Sequence, residues 1–130
     1  MKAGDYLNEV KTRLATSLCV TLITVVAERV TRDRGYFRAR LSLINGDFLE
    51  VSEYFTIRAG KPETLEYRYQ WMDSAQERLI RRWDNARHFP GLPNFPHHQH
   101  VGEDNQVKPS QTLSILGLID LIELELGLIK

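Results

Sequence analysis

The sequence predicts an α+β fold: an N-terminal helix, an antiparallel β-meander of about five strands, a proline/histidine-rich loop and a C-terminal helix. Three observations carry this expectation. Apolar residues recur at helical spacing near the start, apolar and β-branched runs separated by tight-turn residues follow, and a long apolar run closes the chain after a proline-rich stretch. At 130 residues the chain is expected to form a single domain, because two independent cores do not fit in that length.

The first segment, Gly4 to Ala15, places Tyr6, Leu7, Val10 and Leu14 on one helical stripe, with Asp5 as the expected cap. From Leu18 to Val30 the pattern changes to β-branched and apolar residues. Tyr36 to Ile44 and Asp47 to Ile57 follow, joined at Asn45-Gly46, a strong short-range hairpin signal. After a turn at Gly60-Lys61-Pro62, Leu65 to Met72 alternates. Leu65, Tyr67, Tyr69 and Trp71 share one face, and Glu66, Arg68 and Gln70 share the other. Asp73-Ser74 ends that run, and Arg78 to Asp84 reads as the last strand. Short connections require antiparallel neighbours, since parallel pairs need long crossovers.

From Asn85 to Pro109 the chain carries four of its five prolines, which predicts a long loop. Ser110 is the expected N-cap of the closing helix. That helix is apolar around nearly its whole circumference (Leu113, Leu116, Ile119, Leu121, Leu124), so burial on more than one side is expected, with self-association through it as one way to achieve this.

Composition excludes several classes. The single cysteine, Cys19, rules out an internal disulfide and any multi-cysteine zinc site, and its apolar neighbours place it in the core. The apolar tail from Leu113 to Ile129 contains Asp120, Glu123 and Glu125, each costing about 2.5–3.5 kcal/mol at a bilayer centre, so it is not expected to span a membrane. No basic-then-apolar leader opens the sequence, and the expected location is the cytoplasm. With 17 basic and 17 acidic residues, the chain as a whole is no polyelectrolyte binder. Its arginines are clustered, however: Arg29, Arg32, Arg34, Arg38 and Arg40 in one group, and Arg78, Arg81, Arg82 and Arg87 in another. Arginine is suited to bidentate phosphate contacts.

All four histidines fall between His88 and His100, directly after Arg81-Arg82-Trp83-Asp84-Asn85. Three readings compete. In the first, His98 and His100 project the same way from an extended chain and ligate a metal, with His88 or Asp84 as a third ligand. In the second, the favoured one, the cluster performs metal-independent acid–base cleavage of RNA and needs no cofactor. His97, His98 and His100 are then the proton carriers, Arg82 stabilises charge on phosphorus and Asp84 orients a histidine. Arg81, Arg87, His88 and Asn85 hold the substrate, and Tyr67, Tyr69 and Trp83 offer faces for unpaired bases, although all three suit the core equally well and core is the favoured reading of Tyr69 and Trp83. Extended geometry prevents His97 and His98 from facing one site together, which favours His98 and His100. In the third reading Asp84 and Asn85 cap the turn after the last strand, the histidines brace the loop, and the chain is a non-enzymatic binding module whose sheet and closing helix engage a protein partner.

Tyr67-x-Tyr69, then Arg82-Trp83-Asp84-Asn85-Ala86, His88 and Phe95-Pro96-His97-His98-Gln99-His100-Val101 together resemble the TumE family of small bacterial and archaeal toxins. Those toxins are encoded beside a helix-turn-helix antitoxin in type II toxin–antitoxin pairs. The resemblance runs from the Asn45-Gly46 hairpin through the final helix and is most specific between Arg82 and His100. Arg87 precedes His88 where the family typically has proline. The resemblance implies a growth-inhibiting toxin neutralised by a cognate helix-turn-helix antitoxin protein. The layout is also similar to that of RelE-type ribonuclease toxins, which makes RNA the expected substrate, although fold alone does not give function.

Overall fold

The computed structural model describes residues 1–130. The chain opens with helix α1 (Ala3–Thr16) and continues through strands β1 (Val20–Val30), β2 (Arg34–Leu43), β3 (Phe48–Arg58), β4 (Lys61–Met72), β5 (Leu79–Asp84), β6 (His98–Val101) and β7 (Gln106–Pro109) to helix α2 (Ile115–Glu125). The strands form one seven-stranded sheet in sequence order, and every neighbouring pair is antiparallel. No helix is long and apolar enough to cross a membrane.

The α+β layout matches the sequence expectation, with seven strands in place of about five. Both additional strands lie in the stretch read as loop. Pro90, Pro93 and Pro96 all precede β6, which leaves His98 to Val101 free to pair. Pro109 ends the edge strand β7, where a missing N–H leaves the ladder intact. The Asn45-Gly46 hairpin forms as expected: Gly46 has φ +93°, a conformation that disfavours other residues, and its N–H donates to the Leu43 carbonyl at 2.9 Å.

One face of the sheet carries the core. Phe37, Ala39 and Leu41 of β2, Leu49, Val51 and Phe55 of β3, Tyr69 and Trp71 of β4 and Trp83 of β5 are buried there with the apolar stripes of both helices. The α1 stripe is the expected one (Tyr6, Leu7, Val10, Leu14). Asp5 acts from inside the first turn instead of capping it: Lys2 precedes the helix, and its N–H donates to Asp5 Oδ2 at 2.8 Å.

Helix α2 starts later than the sequence suggested, because its N-terminus is tied to the sheet. Ser114, not Ser110, is the N-cap and accepts the Gly117 N–H at 3.1 Å. The fully buried Glu53 accepts the Ile115 N–H at 2.9 Å, and the Tyr69 hydroxyl donates to the Leu113 carbonyl at 2.8 Å. Most of the apolar surface of α2 is then used inside the domain: Ile115, Leu118, Ile119 and Ile122 are completely buried, while Leu124 stays exposed. Its acids join it to α1. Arg13 donates to Glu123 Oε1 at 2.6 Å and Oε2 at 3.1 Å, and to Asp120 at 2.8 Å.

Candidate functional site

The face of the sheet away from the helices is open, and antiparallel register brings polar side chains from distant sequence positions into rows across it. One row reads Arg38–Ser52–Arg68–Asp84–His98 and the next Arg40–Glu50–Gln70–Arg82–His100. Directly paired residues on one face lie within side-chain reach of each other, so each row is a continuous polar strip. Basic residues dominate the β2–β4 end, and the strips finish at β6 on a carboxylate and two imidazoles.

The sharp alternation of β5 and β6 produces this separation. Trp83 points into the core and is 1% exposed, while its neighbour Asp84 points to the open face. Asp84 is nevertheless 7% exposed, and His98 and His100 are 1% and 4% exposed. Phe89, from the loop before β6, packs edge-on against both imidazoles, with ring centroids 5.0 Å from His98 and 6.0 Å from His100. Asp84 Oδ1 accepts the Ala86 N–H at 3.0 Å and lies 3.0 Å from His98 Nε2. Asp84 Oδ2 accepts from Arg82 Nε at 3.3 Å and lies 3.9 Å from His100 Nε2. Burial, followed by the Arg82 charge, holds His100 below the usual imidazole range, which favours its neutral form.

Beside this cluster a solvent-open cavity of about 410 Å³ is lined by Ser52, Tyr54, Glu66, Tyr67, Arg68, Arg82, Asp84, Asn85, Ala86 and His88. His88 is the exposed imidazole of the cavity. Arg68 is exposed and pairs with no carboxylate, donating only to Gln70 Oε1 at 3.0 Å. Arg38 and Arg40, by contrast, are both paired with Glu50.

Several residues expected at the site lie elsewhere or have their polar groups engaged within the fold. Arg81 alternates onto the helix-covered face, where it donates to Gln99 Oε1 at 2.9 Å, pairs with Glu125 of α2 and sits 4.7 Å from the Trp83 ring centroid. Its side chain therefore does not line the cavity described above. Tyr69 and Trp83 are fully enclosed and cannot stack on a base without opening the core. Tyr67 is 4% exposed, and its hydroxyl is engaged with His97 Nδ1 at 2.9 Å, which takes His97 to the side of β6 away from His98. Asn85 uses its side chain to prolong the β4–β5 ladder, accepting the Tyr67 N–H at 3.1 Å and donating to the Leu65 carbonyl at 2.7 Å. Arg87 is exposed in the loop, with its guanidinium 4.9 Å from the Phe95 ring centroid.

The structure also adds members that sequence reasoning missed: Arg68, Ser52 and Tyr54 at the cavity, and Phe89 over the imidazoles. The polar phase of the Leu65 to Met72 alternation was the available signal for Arg68. For exposed aromatic faces the open side offers Tyr36 and Tyr54, with ring centroids 4.2 Å apart, and Arg29 lies 5.5 Å from the Tyr36 centroid.

A family model described as Toxin TumE matches residues 10–126. The chain belongs to the TumE toxin family. The match takes in all seven strands and α2, so the open-face rows and the imidazole cluster of this TumE-family toxin lie inside the matched region. No curated protein and no solved structure matches it.

Proposed function

We propose that this toxin acts on RNA through the open face of its sheet, as a ribonuclease. The observation that carries the reading is the pair of cross-strand rows, which bring Arg68 and Arg82 beside an enclosed carboxylate–imidazole cluster. Arg68 and Arg82 hold the phosphate, with Arg87 at the loop margin. Tyr36 and Tyr54 present stacking faces for unpaired bases further along the sheet. His88, exposed at the cavity, is placed to give or accept a proton, and Asp84, His98 and His100 form the polarising centre behind it.

The partner is a cognate helix-turn-helix antitoxin protein. The surface that best suits a protein partner is the outer edge of the sheet at β1, not α2. β1 is the terminal strand, its outward backbone groups have no strand partner, and Leu22, Val25, Val26 and Val30 are 60%, 47%, 41% and 43% exposed. A long apolar edge of this kind invites strand addition or a covering segment. A homodimer through α2 would have Leu124 as its main exposed apolar contact, since the rest of that helix is largely buried in its own domain.

The test is inducible expression of the wild type beside an Arg68→Ala, Arg82→Ala variant and a His98→Ala, His100→Ala variant. Growth and total RNA are followed together, with a thermal melt of each purified chain. Growth arrest with RNA degradation in the wild type alone, among folded variants, supports the reading. Arrest with intact RNA, or equal toxicity in folded variants, rejects it.

A further inference from the structure

We infer that Asp84, His98 and His100 form a binding site for one divalent transition-metal ion. The argument begins with the protons of His98. Its Nδ1 lies 2.9 Å from the Pro96 carbonyl oxygen, and a carbonyl only accepts, so Nδ1 carries the proton. In the neutral ring Nε2 is then a bare lone pair. That atom is fully buried, makes no hydrogen bond and lies 3.0 Å from the carboxylate oxygen Asp84 Oδ1. A lone pair buried against a carboxylate is repulsive unless a proton or a metal ion lies between the two, and this contact lacks the geometry of a hydrogen bond. An N–H held on a backbone carbonyl is also the usual support that fixes the tautomer of a metal-ligating histidine.

The rest of the cluster fits the same ion. The ligand atoms of Asp84, His98 and His100 all lie within 4.8 Å of one another. Ligands about 2.1 Å from a tetrahedral ion are about 3.4 Å apart, so small side-chain shifts close the site. His100 also has a buried nitrogen, Nδ1, without a hydrogen-bond partner. Two imidazoles and one carboxylate favour zinc, manganese or iron over magnesium and calcium, and three protein ligands leave positions open for water or a phosphate oxygen. Arg82 now neutralises Asp84; an ion would take over that task and release the guanidinium toward the cavity. The purpose of the site, polarising a phosphate held by Arg68 and Arg82, rests on the ribonuclease reading, whereas ion binding itself does not.

The experiment is calorimetric titration of the chelator-stripped full chain with Zn²⁺ and with Mn²⁺, with Co²⁺ absorption as an independent report on coordination. One equivalent per chain is expected. Asp84→Asn and His100→Gln should each weaken binding at least about tenfold. His97→Gln, on the other side of the strand, should leave it unchanged. Because the ligand variants alter buried groups, the wild type is also melted with and without ion: saturating ion should raise Tm by several degrees. Absence of saturable binding and of a Tm shift overturns the site, as does binding indifferent to both ligand substitutions. Ion uptake with RNA left intact keeps the site and rejects the ribonuclease reading. RNA cleavage by a chain that takes up no ion does the reverse.

Discussion

The Tyr67 hydroxyl lies 2.9 Å from Nδ1 of His97, with the two rings stacked at a centroid distance of 5.8 Å. This contact fastens the loop before β6 to the central strand β4 and places His97 apart from the Asp84 cluster. Tyr67→Phe and His97→Ala are each expected to cost about 1 kcal/mol in a urea titration while leaving toxicity intact at equal folded levels. A His97→Ala chain with wild-type stability and no toxicity would return this residue to the chemistry.

Arg68 and Arg82 should be distinguishable from Arg81 by salt. If the first two contact phosphate, alanine at either lowers affinity for single-stranded RNA and reduces the slope of log K against log salt by about 0.7. Arg81→Ala should leave that slope alone and instead cost about 1–2 kcal/mol of stability, through its lost contacts with Gln99, Glu125 and the Trp83 ring. Filter binding over a range of salt concentrations, with parallel denaturation, checks both.

Glu123 should make the fold acid-sensitive. Hydrogen bonds from Arg13 chiefly, helped by Ser17 and the Leu18 N–H, lower its pKa from 4.5 to about 2. A carboxylate with a depressed folded-state pKa contributes stability that is fully present above its unfolded pKa, and that stability is lost as pH falls through the folded one. The contribution therefore disappears between pH 4.5 and about 2. Glu123→Gln should flatten that part of the stability profile. Glu53 runs the opposite way, since burial raises its pKa and its protonation relieves the cost of an enclosed charge.

Glu53 also accepts from Tyr6 at 2.8 Å, Thr64 at 3.0 Å and the Ile115 N–H at 2.9 Å. Glu53→Ala strands three donors and is expected to destabilise by about 3 kcal/mol or more, with α2 loosening first. Hydrogen exchange at the start of α2 would show it. Exchange unchanged at Ile115 would mean that Ser114 alone holds the helix start.

Leu22→Asp with Val26→Asp should preserve folding and toxicity yet abolish complex formation with the antitoxin, read by co-purification. An intact complex would move the antitoxin to another face.

The fold was legible where local signals were strong. Asn45-Gly46 and the alternation from Leu65 to Met72 located a hairpin and a central strand. Strands β6 and β7 were hidden because prolines crowd around them, and only the pairing of Asp84 with His98 and of Gln99 with Lys108 shows that the chain returns to the sheet. The site was half legible. The approach of Asp84 to His98 and His100 follows from residue type and nearness in sequence. Arg38, Ser52 and Arg68 join it only through register across five strands, a relation that no local pattern contains. Arg81 and Arg82 look alike as letters, although alternation gives them opposite faces.

That alternation at Trp83 and Asp84 has a further consequence. One residue fills the core and the next supplies the carboxylate, so a one-residue slip of β5 would push the carboxylate into oil and turn the indole out to water. The same error that ruins packing would dismantle the strip of arginines and imidazoles. On the proposed reading of the strip as the toxic site, misfolding and disarmament are then one event: a chain that assembles wrongly is also a chain that does no harm.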